Sequence, residues 1–199
     1  MSGRRDVPLI FEIGTLRHLA RTWRQFGGLD LSNVAEHSFR VAWISLILAS
    51  REGADVGRCV LMALLHDVPE TRTGDVNYIH RMNTVRLEDH ALTDALVDTT
   101  AGPELQDIWR EWTLKKTLES QVVRDADSLD CDFELREQHD RGARLPAVLA
   151  PTRQAVRRRL HTKSARLMFD EIQTSDPHEW HLAARNRLTA GDWAESRAQ

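Results

Sequence analysis

At 199 residues and 22.8 kDa, with 41% hydrophobic and 29% charged residues, the chain is long enough to bury one substantial apolar core and short enough to need no second. Its formal net charge of -3, without a long block of like charge, excludes a polyanion-binding tail, so extended nucleic acid is not an expected partner. Two cysteines, Cys59 and Cys131, exclude a disulfide framework. Each falls in a helical pattern as a small apolar residue would, which fits a reducing compartment. The first residues carry no apolar stretch followed by a small-residue cleavage site, and no apolar run reaches about 18 residues. The expectation is a soluble, cytoplasmic protein with no membrane partner.

Almost the whole chain has helical periodicity. Ile10, Ile13, Leu16, Leu19 and Ala20 recur at helical spacing and predict a first helix fading near Gly27 and Gly28. Ser32 or Asn33 can cap a second, with Glu36 placed to answer the cap, and Val34, Val41, Ile44, Ile47 and Leu48 form its apolar stripe up to Gly53. Asp55 opens a third that carries Cys59, Val60, Ala63 and Leu64 and ends near Pro69. Residues 71 to 83, with Gly74, Asp75, Asn77 and Asn83, predict a loop with at most a short helical turn. A fourth helix follows from Val85 and is broken at Gly102-Pro103; Leu105, Ile108, Trp109 and Trp112 continue as a fifth. In a sixth, Val122, Ala126, Leu129 and Phe133 share one face, while Val123, Asp127, Asp130 and Glu134 form the stripe at its edge. The stretch Val148–Phe169 is helical and basic, and a last short helix follows Asp176-Pro177. No period-2 strand pattern of useful length and no internal repeat is present, so the fold class is all-α.

Three pieces of this pattern place polar groups where an apolar core should be. Met62 to Asp75 reads MALLHDVPETRTGD, with His66 and Asp67 at the end of an apolar run in which Val60, Leu61, Ala63, Leu64 and Leu65 predict a buried helix. Burying a carboxylate beside an imidazole costs several kcal/mol unless something pairs with them, and a metal ion is an economical partner. His37 in the second helix and Asp127 in the sixth complete a set of two imidazoles and two carboxylates. Such a set suits Mn, Co, Fe, Zn, Ni or Mg and disfavours a soft ion. Alone, His37 is as readily a satisfied core histidine. Asp127, close to Asp125, Asp130 and Asp132, is as readily part of a solvated acidic face. Jointly the four are specific.

The segments NVAEHSFRVAWIS, ALLHDVPETRTGD and VVRDADSLD resemble the signature segments of HD-domain phosphohydrolases, in the branch of the 5′-deoxynucleotidases, and the resemblance spans about residues 15 to 170. It implies a single HD-domain helical bundle over 1–199, with a helical extension from 171 and one divalent ion among the central helices, held by His37, His66, Asp67 and Asp127. By the same resemblance Glu70 orients or activates the attacking water, Asp75 contacts the sugar 3′-hydroxyl and Trp23 packs on the deoxyribose. Trp23 fits equally a core aromatic. If the helix persisted past His66, Glu70 would project on the ligand side, but Pro69 bends or ends it there.

The nucleotidases place an arginine immediately before the sugar-packing tryptophan, and here that position is Thr22. Arg21 is the first substitute for the phosphate contact and Arg24 and Arg72 the alternatives, although Arg21 and Arg24 also fit a solvated helix face. The expected activity is hydrolysis of deoxynucleoside 5′-monophosphates by a metal-bound water. The same scaffold admits a deoxynucleoside triphosphate hydrolase or an idle nucleotide-binding module. Apart from the small nucleotide, the resemblance implies a homodimer. A second metal through His80 is the weaker alternative.

Overall fold

The computed structural model describes residues 3–182 of the chain. Within them the architecture is all-α, as expected. Eleven helical segments follow one another: α1 (Asp6–Gly14), α2 (Val34–Glu52), α3 (Val56–Leu65), α4 (Glu70–Thr73), α5 (Tyr78–Asn83), α6 (Glu88–Leu96), α7 (Gly102–Leu114), α8 (Leu118–Asp140), α9 (Leu145–Arg157), α10 (Lys163–Thr174) and α11 (Glu179–Leu182). Two 3-10 turns, Thr15–His18 and Thr22–Phe26, link α1 to α2. Most of the extension expected at 171–199 lies outside the described residues, although α10 carries Ile172 into the core.

The centre of the bundle is α2, α3 and α8 packed against one another, with α10 and α9 along α8 and α7 against α3. Val41, Leu48, Met62, Ala63, Val122, Val123, Ala126 and Leu129 from these helices are fully buried, and one apolar cluster runs from Leu9 to Ile172. Helix α2 begins at Asn33, whose side chain accepts from the Glu36 backbone N–H while Glu36 accepts from the Asn33 N–H. It stops at Gly53, whose φ of 73° is left-handed and suits glycine. Asp55 caps α3 through the Arg58 N–H.

The N-terminal helix is a correction. Instead of one helix through Ile10 and Ala20 fading near Gly27 and Gly28, α1 ends at Gly14 and the chain passes into 3-10 turns, and Ile10 (68%) and Ile13 (37%) are exposed while Leu9 and Leu16 are buried. Ala20 and Asn33 form an antiparallel bridge that closes the Thr22–Phe26 turn against the start of α2. Leu61 and Leu64 are likewise 40% and 48% exposed, so α3 buries one face only. The basic stretch Val148–Phe169 divides into α9 and α10, because buried Asp125 accepts from the His161 and Thr162 N–H groups and the Thr162 hydroxyl and turns the chain there.

Candidate metal centre and its two flanking cavities

Three central helices deliver one group or pair of groups each. His37 sits one turn beyond the α2 cap, His66 at the C-terminal end of α3 with Asp67 next to it, and Asp127 in the first half of α8. The His37 and His66 Nε2 atoms are 3.3 Å apart. Asp67 Oδ2 lies 3.4 Å from His37 Nε2 and 3.2 Å from His66 Nε2, and Asp127 Oδ1 lies 3.3 and 4.0 Å from them. His37 and His66 are buried, and Asp127 keeps a 39% exposed side chain toward open space.

The other nitrogen of each ring is already engaged. His37 Nδ1 is 2.6 Å from Asp130 Oδ2, and His66 Nδ1 is 2.6 Å from the Ala63 carbonyl. With Nδ1–H donating outward, both Nε2 lone pairs turn toward the carboxylates, which is how imidazole ligands are oriented around a metal. The donor set therefore fits a borderline divalent cation, and His37, His66 and Asp127 by themselves are close enough to hold one. Burial opposes charge on His37, yet Asp127, Asp130 and Asp67 outweigh it and hold the imidazole well above its ordinary value. Burial likewise opposes ionisation of Asp67, and the two histidines more than offset it, keeping the carboxyl well below the usual range.

Past His66 the helix tightens rather than stops. Val68 N–H donates to the Leu65 carbonyl, Glu70 N–H to Asp67 and Thr71 N–H to Val68, at 3.0, 3.0 and 3.1 Å, a 3-10 pattern that carries the chain through Pro69 into α4. In that geometry positions i and i+3 eclipse, so Glu70 stacks over Asp67. Glu70 is 4% exposed; its Oε1 accepts from Arg86 at 2.9 Å and its buried Oε2 has no hydrogen-bond partner among the described residues. Burial, then the charges of Asp67 and Asp75, push Glu70 up to about 8, with Arg86 and Arg21 pulling the other way.

A 240 Å³ cavity opens beside Asp67, Glu70 and Asp127 and is lined also by Arg21, Trp23, Asp75, Tyr78 and Arg153. Arg21 reaches to 3.5 Å from Asp67 Oδ2 and 3.8 Å from Asp75 Oδ1, and its buried Nε has no hydrogen-bond partner among the described residues. Asp75, aimed by Gly74 at φ 73°, accepts from the Thr22 N–H and hydroxyl, so Thr22 anchors the carboxylate where the resemblance expects an arginine. Two substrate candidates lie elsewhere. Arg24 is exposed beside Arg17, Asp30 and Arg141 in a separate groove, and Arg72 is clamped by Glu12 and Asp94. His80 approaches Asn77.

Four participants were not singled out for the site from sequence. Asp130 behind His37 was legible as the i+3 neighbour of Asp127. Arg86, Arg124 and Arg153 belong to segments whose approach to the cluster no local pattern encodes. Nor is the acidic run of α8 a solvated face: Asp125, Asp130 and Asp132 are buried, the last two pairing with Arg40 and Arg153.

Residues 13–168 match the HD domain family, which is more than half of the chain. The chain belongs to the HD-domain family. Among curated proteins it is 26% identical over 134 residues to the 5′-deoxynucleotidase HDDC2 of Bos taurus, a match covering 64% of this chain and 65% of the bovine protein. It is 28% identical over 130 residues to the enzyme of the same name from Dictyostelium discoideum, over 59% of this chain and 68% of that one. The chain thus spans just under two thirds of the bovine protein. Among solved structures, a conserved hypothetical protein from Pyrococcus furiosus superposes with a TM-score of 0.69 at 26% identity, over 85% of this chain and 99% of that one.

Proposed function

We propose that the chain is a metal-dependent 5′-deoxynucleotidase that hydrolyses deoxynucleoside 5′-monophosphates to nucleoside and phosphate. The observation that carries this reading is the convergence of the His37, His66, Asp67 and Asp127 donor atoms with Glu70 stacked beside them at the mouth of a cavity. The names of the curated relatives support the substrate class. A divalent ion of the Mn, Co, Fe, Zn, Ni or Mg class held by the four residues supplies Lewis-acid activation of water and of a phosphoryl oxygen.

The chain's own groups do the rest. Glu70 orients the attacking water and takes its proton. Positive charge bound beside it would bring Glu70 down from about 8 toward working pH. Arg21, beside Asp67 in the wall of the 240 Å³ cavity, offsets charge on the phosphoryl oxygens. Trp23 supplies the apolar wall for the deoxyribose, and Asp75 Oδ1, 3.8 Å from Arg21, faces the 3′-hydroxyl. An idle binding module has no use for a buried carboxylate at the position of Glu70.

Around this site we infer one domain with its core at about 15–170, working in the cytoplasm as a homodimer. No described helix is long and apolar enough to cross a membrane. Pairing is supported by Phe39 (64%), Trp43 (55%) and Ile47 (40%), which expose an apolar row at i, i+4 and i+8 along α2. Chromatography of the products from a panel of deoxynucleoside and ribonucleoside mono-, di- and triphosphates tests the activity. Inorganic phosphate from the deoxynucleoside monophosphates is expected; a panel left uncleaved in the presence of Mn or Co overturns it.

A further inference from the structure

The cluster is open on two sides. Asp67, Val76, Arg81 and Asp127 are shared walls of the 240 Å³ cavity and of a larger one, 650 Å³, on the His66 side. Besides the cluster's own Asp67 and Asp127, the larger cavity is lined by four cationic side chains, Arg81, Arg86, Lys115 and Arg124, against two carboxylates, Glu88 and Asp89. Both of those carboxylates are engaged, Glu88 by Arg86 and Asp89 by the Trp109 indole N–H at 2.7 Å. Arg81, Lys115 and Arg124 make no ion pair among the described residues.

Arg124 is held in place without being neutralised. Its guanidinium lies 3.9 Å over the Trp112 ring and donates to the Trp112 carbonyl at 2.7 Å, while its buried Nε has no hydrogen-bond partner among the described residues. Burial pulls it below its ordinary value, and Asp127 works the other way. A part-buried cation with an orphaned donor is costly unless an anion completes it. A monophosphate held at the cluster with Arg21 does not need this chamber. A phosphate chain running away from the nucleoside, past the cluster, does.

We propose that the chamber of Arg81, Lys115 and Arg124 receives the phosphates beyond the first of a nucleoside di- or triphosphate, so that the site binds a phosphate chain as well as a monophosphate. The inference rests on the nucleotidase reading for the place of the nucleoside. Calorimetric titration of chelator-treated protein tests it, with inorganic tripolyphosphate against orthophosphate and deoxyadenosine 5′-triphosphate against the 5′-monophosphate. In each pair the longer anion is expected to bind about tenfold tighter or better. The doubly substituted Arg81→Gln, Lys115→Gln protein loses that margin; both side chains are exposed and make no ion pair among the described residues, and a melting curve checks that it folds. Equal binding within either pair overturns the proposal, as does a margin that survives the double substitution. Failure to release phosphate from monophosphates removes the nucleotidase reading and leaves the margin standing, whereas equal binding within the pairs by the unsubstituted protein, with phosphate release intact, removes the chamber alone.

Discussion

Asp130 has two jobs at one carboxylate. It accepts from His37 Nδ1 at 2.6 Å through Oδ2 and from Arg40 Nε through Oδ1, so the guanidinium fixes the carboxylate that fixes the imidazole. Partners of this kind set the tautomer of a ligand, and losing one typically weakens metal binding by about 10–100-fold. Asp130→Asn is therefore expected to weaken Mn or Co binding by about that factor while His66 and Asp127 remain, measured by metal titration. Unchanged affinity would show that His37 needs no such support. The clustering of His66 and Asp67 with other polar groups was legible in the sequence because a histidine and an aspartate side by side at the end of an apolar run have few satisfied alternatives in a core. Arg86 was not, since it meets Glu70 from 16 residues away through a segment of weak periodicity. Arg24 and Arg72 misled because arginine spacing on a predicted helix says nothing of which acidic side chain captures it: Arg72 goes to Glu12 and Asp94.

Among the elements, the start of α2 matters most to the site, because the Asn33 cap sets the turn that presents His37. Asn33→Ala is expected to cost about 1 kcal/mol in chemical denaturation. The cap was readable from Asn33 and Glu36 alone, since both partners are local. The course of α1 was not, because Glu12 binds Thr71 and Arg72 across the fold and ties α1 to α4. The Arg72 hydrogen bond holds the Glu12 carboxyl below its ordinary 4.5. Its folded pKa is thus depressed, so its stabilising contribution is fully present above pH 4.5 and is lost as pH falls through the lower folded value. Melting of wild type and Glu12→Gln over about pH 3 to 6 should converge at the acid end and diverge above it. Pro69 likewise marked a break correctly, yet only the 3-10 pairing around it decides that Glu70 stacks on Asp67 rather than leaving the site.

At the scale of the molecule, α2, α3 and α8 are joined by apolar packing on one side and by the cluster on the other. Asp67 and Asp127 draw compensation from the two histidines, and Asp67 from Arg21 as well. A divalent ion that binds only the folded chain adds stability by mass action, about 2.7 kcal/mol at a hundred times its dissociation constant. For a chain of this size that is a rise of roughly 5–10 °C in melting temperature. Chelation should reverse it, and calorimetric scans with and without Mn should differ by that interval. Identical scans would mean that the cluster is not a metal site. The all-α class and the long helices were legible because their apolar stripes recur locally. The two cavities were not, because each is walled by residues from distant segments.

The central claim is that one divalent ion at His37, His66, Asp67 and Asp127, with Glu70 beside it, cleaves a deoxynucleoside 5′-monophosphate. Phosphate release titrated with Mn or Co, with bound metal counted in the same samples, tests it most directly on wild type, Asp67→Ala and Glu70→Gln. The expected result is turnover that saturates at one ion per wild-type chain and no tight ion in Asp67→Ala. In Glu70→Gln the ion should be retained with turnover lowered by about 10²–10⁴-fold. Full turnover in Glu70→Gln, or phosphate release indifferent to the metal, would contradict the assignment.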